Sequence, residues 1–139
     1  MKEISTDRLA ELTDQLKEIS QKAYAQFYIQ YKKADYKPDF QNEVKPFANR
    51  TDQILAEWSP LANKWVALNQ PRYLHLQQIK DTCDNLTLIS VTAFQKTTRQ
   101  RRFIETIQAI DYVLDTLLSE LADSFDTVNQ GNLIAHPNK

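Results

Sequence analysis

The sequence predicts an all-α protein, folded as an antiparallel up-down-up-down four-helix bundle. The 139-residue chain contains a single glycine, Gly131, and the tight turns of an antiparallel sheet protein usually require several. Apolar residues recur at alternating spacings of three and four along four long stretches, which is the period of one face of a helix. Because the connections between these stretches are short, consecutive helices are expected to pack as antiparallel neighbours.

The first two helices are defined by apolar stripes separated by the polar turn "DYKPDF". Helix 1 is predicted over about residues 5–34, with a stripe made of Leu9, Leu12, Leu16, Ile19, Ala23 and Phe27. Helix 2 is predicted over about residues 40–68, with a stripe made of Phe47, Thr51, Ile54, Trp58, Leu61, Trp65 and Leu68. A proline inside a helix removes one backbone hydrogen bond and crowds the preceding turn, at a cost of about 3 kcal/mol. We therefore expect a break near Pro46 and a bend near Pro60.

The second half of the chain predicts two further helices and a tail. Helix 3 is expected over about residues 75–97, with a stripe made of Ile79, Cys83, Leu86, Ser90 and Ala93. Helix 4 is expected over about residues 101–125, with Phe103, Ile107, Ile110, Leu114, Leu117 and Leu121 at heptad positions. The single bundle domain thus covers residues 1–125. The polar residues 126–139 are predicted to form a flexible C-terminal tail.

Composition limits where the protein acts and what it contacts. The net charge of −1 gives no global attraction to nucleic acid or to an anionic membrane. The single cysteine, Cys83, cannot form an internal disulfide, and the amino terminus carries charges where a signal peptide would be apolar. No apolar run approaches the roughly 20 residues needed to cross a bilayer. We therefore expect a cytoplasmic protein without a membrane partner.

A set of residues in the middle of the chain is similar to a known family. The shared pattern consists of Asp39-Phe40, Lys45-Pro46, Trp58, Pro71, Tyr73, His75, Gln78-Ile79, Asp84-Asn85 and Phe103. With this pattern the chain resembles the YppE-like family of small bacterial proteins. The resemblance implies a four-helix bundle from a Gram-positive bacterium, but the family is uncharacterised and supplies no catalytic residues. Pro60 and the longer C-terminal tail depart from the family pattern.

Residues with the chemistry of an enzyme or a metal centre are scarce. A di-metal site in a bundle requires inward glutamates and Glu-x-x-His pairs, whereas the glutamates of this chain fall off the apolar stripes and only two histidines are present. Cys83 lies on the stripe of helix 3, where a thiol behaves as a small hydrophobe. The sequence also lacks a Gly-rich phosphate loop. We therefore expect no metal, no cofactor and no enzymatic activity.

The segment "PRYLH" between helices 2 and 3 allows a structural and a functional interpretation. In the structural one, Pro71 ends helix 2, Tyr73 and Leu74 pack against the bundle end, and His75 starts helix 3. Replacement of Tyr73 by alanine should then cost about 2 kcal/mol or more, and that of Arg72 no more than about 0.5 kcal/mol. In the functional interpretation, Arg72, Tyr73 and His75 bind an anion at the helix start. We prefer the structural interpretation and regard a hydrolase built on Tyr73 and His75 as the least favoured function.

The densest basic run lies between helices 3 and 4 and comprises Lys96, Arg99, Arg101 and Arg102. Arginines that open a helix oppose its dipole, so we expect compensation by Asp35 and Asp39 from the turn at the same bundle end. The alternative is a phosphate or nucleic-acid contact, which has a weak footprint here because no aromatic residues are interleaved with the charges.

Helix 1 and helix 3 offer a candidate interaction face. Tyr24, Tyr28 and Tyr31 form a second stripe on helix 1, and Leu88 points nearly outward on helix 3. Tyrosine-rich edges suit a partner surface, although half-buried tyrosines are also ordinary in bundles. Our leading hypothesis is a non-enzymatic protein-interaction module whose partner is another protein or a second copy of itself. The alternative is an accessory nucleic-acid or phosphate-binding protein acting through the basic residues 99–102.

Overall fold

A computed structural model describes residues 2–33, 35–95 and 99–134, with the side chains of 2–5, 31 and 124–134 excluded. This part of the chain contains no strand. It forms the helices α1 (Lys2–Lys32), α2 (Lys45–Asn69), α3 (Leu76–Thr92) and α4 (Gln100–Ile134), with a π-helical turn (Phe40–Val44) before α2. Among the described residues, no helix has both the length and the apolar content that spanning a bilayer requires.

The helices form a closed ring around one core. Each helix packs against the next one along the chain, and α1 packs against α4, which closes the ring. α1 and α3 also touch across the interior. This arrangement confirms the predicted up-down-up-down four-helix bundle.

Near the predicted break at Pro46 the chain stays helical and changes from a π-helical turn to an α-helix. Phe40–Val44 form a π-helical turn, and the α-helix begins at Lys45. Pro46 then lies in the first turn of α2, a position that favours proline. The carboxylate of Asp39 caps the π-helical turn, accepting from the backbone N–H of Asn42 at 3.1 Å and from its side-chain amide at 2.8 Å.

Two helix ends differ from the sequence-based prediction. α3 ends at Thr92 and not near residue 97, because the N–H groups of Phe94 and Gln95 bond three residues back, to Val91 and Thr92, and tighten the chain into turns. α4 continues to Ile134, past the predicted end near residue 125. The prediction stopped there because the residues after 125 are mostly polar, although a polar sequence free of proline can extend an existing helix. The predicted flexibility of residues 126–139 stays a prediction, and residues 135–139 lie outside the described residues.

Trp58 occupies the centre of the core and links α2 to α1. Its side chain is fully buried, and its indole N–H donates to the hydroxyl of Thr13 at 3.0 Å. The Thr13 hydroxyl in turn donates to the carbonyl of Leu9, one turn earlier in α1, at 2.7 Å. The only polar side-chain atom of Trp58, the largest fully buried residue described, is therefore satisfied inside the bundle.

Contacts along its length hold α1 against both neighbouring helices. The rings of Phe27 and Phe103 are stacked between α1 and α4, with centroids 4.2 Å apart and planes 13° apart. The Arg8 guanidinium donates to both carboxylate oxygens of Glu57 on α2, at 2.6 and 2.7 Å. These hydrogen bonds hold the pKa of Glu57 below its usual value.

The connection between α2 and α3 is a turn anchored by Leu74. Gln70 ends α2 in the left-handed conformation, with φ 45° and ψ 57°, and so leaves the helical region before Pro71 as predicted. Leu74 is only 1% exposed, whereas Tyr73 is 57% exposed. The predicted anchor is confirmed for Leu74 and wrong for Tyr73, because the Tyr73 ring lies outside the core with the Arg72 guanidinium 5.9 Å from its centroid.

Replacing Thr13 by valine should lower the free energy of unfolding by about 1–3 kcal/mol, because the buried Trp58 N–H loses its acceptor without a change in side-chain volume. Urea denaturation measures this loss. Thr106→Val is the matched control, since the Thr106 hydroxyl donates within its own helix near the surface, and its effect should stay within about 0.5 kcal/mol. Equal effects of the two substitutions would contradict the role assigned to the Thr13 hydroxyl.

Leu74→Ala should cost about 2–5 kcal/mol, because a fully buried leucine is truncated and leaves a cavity. Tyr73→Ala should change stability by no more than about 0.5 kcal/mol, as is usual for an exposed side chain. Thermal or urea denaturation measures the loss of stability of each variant, and the two losses can then be compared. A larger loss for Tyr73→Ala than for Leu74→Ala would show that the tyrosine anchors the turn.

Candidate functional site

A cleft between α3 and α4 contains several of the predicted site residues. Its volume is about 560 Å³. α3 and the residues after it contribute Leu88, Ile89, Thr92 and Gln95, and the start of α4 contributes Arg99, Arg101, Arg102, Phe103, Glu105 and Thr106. The structure therefore brings Leu88 together with the three arginines, a grouping that the sequence did not predict. We call this surface the α3–α4 cleft.

The cleft has an apolar floor and is bordered by short side chains. Ile89 and Phe103 line it and are almost fully buried, at 1% and 2% exposed. Leu88 is 47% exposed and forms an apolar wall. The hydroxyls of Thr92 and Thr106 each donate to a carbonyl one turn earlier in their own helix, at 3.0 and 2.9 Å. Because both side chains are short and bond to their own helices, they leave room between α3 and α4. This pair of threonines is the sequence feature that could have indicated the cleft.

The end of α3 that borders the cleft is packed against α1 and α2. The buried side-chain amide of Gln30 on α1 donates to the carbonyl of Gln95 at 3.1 Å. The ring of Phe94 meets the ring of Phe47 on α2 edge-on, with centroids 5.9 Å apart. One wall of the cleft is therefore held in place by the rest of the bundle.

The α4 side of the cleft is positively charged. The carbonyl of Arg99 accepts the N–H of Phe103 at 2.9 Å, so Arg99 lies where α4 begins, at the positive end of its dipole. The first turn of α4 contains no acidic residue. Arg101 pairs with Glu105 one turn later at 3.2 Å, and its side chain is 91% exposed. Three arginines and one glutamate give the described residues of the lining a net charge of +2.

The predicted compensation by Asp35 and Asp39 is wrong. Within the described residues, neither aspartate forms an ion pair with the arginines of the cleft. The Asp39 carboxylate instead caps the π-helical turn, where hydrogen bonds from Asn42 lower its pKa. Lys96, the fourth member of the predicted basic run, lies outside the described residues. Among the described residues Arg99 and Arg102 thus have no ion-pair partner, whereas Arg101 pairs with Glu105.

The predicted tyrosine face is separate from the α3–α4 cleft. Tyr24 and Tyr28 are 45% and 51% exposed, and the Lys32 ammonium lies 5.2 Å from the centroid of the Tyr28 ring. The side chain of Tyr31 lies outside the described part of the chain. Neither Tyr24 nor Tyr28 is among the described residues that line the cleft with Leu88.

Hydrogen bonds at the "PRYLH" turn support its structural interpretation. The backbone N–H of His75 donates to the side-chain carbonyl of Gln78 at 2.6 Å, and the Gln78 N–H donates to the His75 carbonyl at 2.9 Å. These bonds fix the start of α3. Arg72 and Tyr73 contact each other through a cation–π interaction. Anion binding by Arg72, Tyr73 and His75 stays a prediction.

Cys83 borders a second cleft, between α2 and α3. This cleft has a volume of about 500 Å³, and Ser59, Lys80 and Asp84 also line it. Burial raises the pKa of the Cys83 thiol, while a hydrogen bond with Ser59 acts in the opposite direction. A raised pKa lowers the thiolate fraction and hence the reactivity of the thiol. Within residues 2–33, 35–95 and 99–134, no group of three or more His, Cys, Asp or Glu side chains is placed to hold a metal ion.

Sequence and structure comparisons show one family throughout. Residues 13–121 match DUF1798, a bacterial domain of unknown function. The chain is 26% identical over 114 residues to the uncharacterized protein YppE of Bacillus subtilis strain 168, an alignment that covers 82% of this chain and 92% of YppE.

Two solved structures share the fold over most of the chain. A crystal structure of a protein of unknown function from Listeria innocua matches with a TM-score of 0.82 at 25% identity, over 88% of this chain and 98% of that one. A crystal structure of B. subtilis YppE matches with a TM-score of 0.80 at 23% identity, over 86% of this chain and 97% of that one. The predicted resemblance to YppE-like proteins is therefore confirmed, and the chain belongs to the DUF1798 family of bacterial proteins of unknown function.

Proposed function

We propose that the protein is a non-enzymatic interaction module that binds another protein in the α3–α4 cleft. The observation that carries this proposal is the half-exposed wall of Leu88 beside three exposed arginines, above a buried floor. An apolar centre with arginines at its edge is the composition found in protein–protein interfaces, where arginine is enriched among the residues that contribute most affinity.

The arginines of the cleft are poorly explained by folding alone. Positive side chains at the start of a helix oppose its dipole by about 0.3–1 kcal/mol each at exposed positions. Only Arg101 has an ion-pair partner among the described residues of this cleft, and that partner, Glu105, is exposed. An exposed pair of this kind contributes at most about 1 kcal/mol. A partner that supplies negative charge would offset the unfavourable interaction of these arginines with the dipole of α4.

The cleft is a better binding site than the tyrosine face of α1. Tyr24 and Tyr28 project from one helix edge, whereas the cleft has walls from two helices and a floor between them. A concave site removes more of an inserted side chain from water than a convex helix edge does, and burial scales with the area removed. The tyrosine face stays an alternative surface, including for a second copy of the chain.

Nucleic-acid or phosphate binding through Arg99, Arg101 and Arg102 is the alternative function. Three phosphate contacts would give a log–log dependence of affinity on salt with a slope of roughly −3 on duplex DNA. However, the Arg101 guanidinium is already paired with Glu105. Stacking bases would also find no exposed aromatic ring among the described residues of the cleft lining. We expect duplex DNA to bind no tighter than about 10⁻⁴ M at physiological salt.

Affinity capture from a lysate of the native cells tests the proposal with three baits. These are the unaltered protein, Leu88→Lys, which replaces the apolar wall, and Tyr112→Lys, which makes the same change at an exposed position of α4 outside the cleft. A protein captured by the first and third baits but lost with Leu88→Lys is the expected result, since only that variant alters the cleft. Nuclease treatment should leave the capture unchanged.

Capture that persists with Leu88→Lys would contradict binding in the cleft. Release of the bound material by nuclease, together with micromolar DNA binding that disappears when the three arginines are replaced by alanine, would favour the alternative function. Circular dichroism melting curves of all the baits check that each variant is folded.

A further inference from the structure

We infer that the α3–α4 cleft recognises an acidic segment of a partner protein that carries an apolar anchor residue. This inference rests on the proposed function and adds the chemistry of the partner. It depends on two properties of the lining that occur together: the net positive charge at the start of α4 and the apolar wall and floor between the helices.

The positive charge of the cleft is local and accessible. The protein as a whole has a net charge of −1, so the lining, with a net charge of +2, differs in sign from the rest of the molecule. Arg99 and Arg102 are exposed, and neither has an ion-pair partner among the described side chains. A guanidinium presents its donors in a planar fork that matches a carboxylate. Charge complementarity therefore favours a partner rich in Asp or Glu.

The apolar part of the cleft favours a peptide over a phosphate group or a nucleic acid. Leu88 offers an exposed aliphatic side chain, and Ile89 and Phe103 form the floor. Ile89 and Phe103 are already buried, so Leu88 is the accessible large apolar side chain of the described lining. Only an occupant with its own apolar side chain gains free energy by covering Leu88, at about 25 cal/mol per Å² removed from water. A phosphate backbone would contact the arginines and leave the apolar surface uncovered. The groove between two helices also suits a peptide chain that lies along it.

The test is a selection from a displayed library of random dodecapeptides on the full-length protein, with counter-selection on Leu88→Lys to remove peptides that bind elsewhere. We expect the enriched peptides to carry net negative charge and at least one Leu, Ile, Phe or Met. The affinity of the most enriched synthetic peptide is then measured by fluorescence anisotropy.

Replacing both Arg99 and Arg102 by alanine should weaken this peptide about ten-fold or more, because two carboxylate contacts are lost. The matched control is the double change of Arg50 and Lys64 to alanine, which removes two exposed positive charges from α2, diagonal to α4, and should change affinity less than about two-fold. Circular dichroism of each variant verifies the fold.

The outcomes separate the partner chemistry from the proposed function. Enriched peptides that depend on Leu88 but are neutral or basic would overturn the acidic partner and leave the cleft as a protein-binding site. Failure to enrich any peptide that depends on Leu88 would count against the proposed function itself. Displacement of the peptide by a single-stranded oligonucleotide at micromolar concentration, with the same loss in the arginine variant, would replace the acidic peptide by nucleic acid as the occupant.

Discussion

The fully buried indole of Trp58 is the interaction on which the packing of this bundle depends. Burying it stabilises the core only if its N–H finds an acceptor, and Thr13 supplies that acceptor from α1 while bonding to its own helix. The other buried polar side chains described are also uncharged, namely Ser20, Gln30, Thr51, Thr82 and Ser90. The described interior therefore contains the hydroxyls and amides that packing tolerates and no ionisable side chain. The charged groups lie on the surface, and the candidate site must be sought there.

The α3–α4 cleft lies between two helices of unequal length. α3 has 17 residues and α4 has 35, and the α3–α4 cleft lies where the shorter helix ends and the longer one begins. Packing of Phe94 and Gln95 against α1 and α2 holds one wall. The other wall is the first part of α4, where the arginines oppose the helix dipole. The fold thus presents a fixed groove with a net positive charge. Among the described residues, the ion pair between Arg101 and Glu105 neutralises only part of this charge.

The sequence predicts the helices well because burial is periodic along the chain. Six residues of the helix 4 stripe, from Phe103 to Leu121, are all buried. Near Pro46, where a break is predicted, the helix changes from π to α without interruption. Outside a helix, no repeating spacing shows which side chain faces the core. The sequence therefore cannot show whether Tyr73 or Leu74 anchors the turn. The end of α4 is equally hard to predict, because its last turns are mostly polar.

The candidate site is less accessible to prediction because it depends on distances between elements. The sequence identifies Arg99, Arg101 and Arg102 as a basic group and Leu88 as outward-facing, and both properties hold in the structure. Whether Leu88 and the arginines line the same cleft depends on the register of α3 against α4, which the sequence does not show. The expected compensation by two aspartates is wrong because sharing a bundle end does not bring charges within ion-pair distance.

Site-specific photo-cross-linking in living cells tests the central claim most directly, because it captures a bound protein of any identity. A photoreactive phenylalanine analogue would replace Leu88 in the cleft, Tyr28 on the α1 face or Tyr112 on α4, all of which are about half exposed. The proposed cleft predicts a discrete protein adduct from position 88 and none from the other two positions. An adduct from position 28 with none from position 88 would contradict it and place the interaction on the tyrosine face.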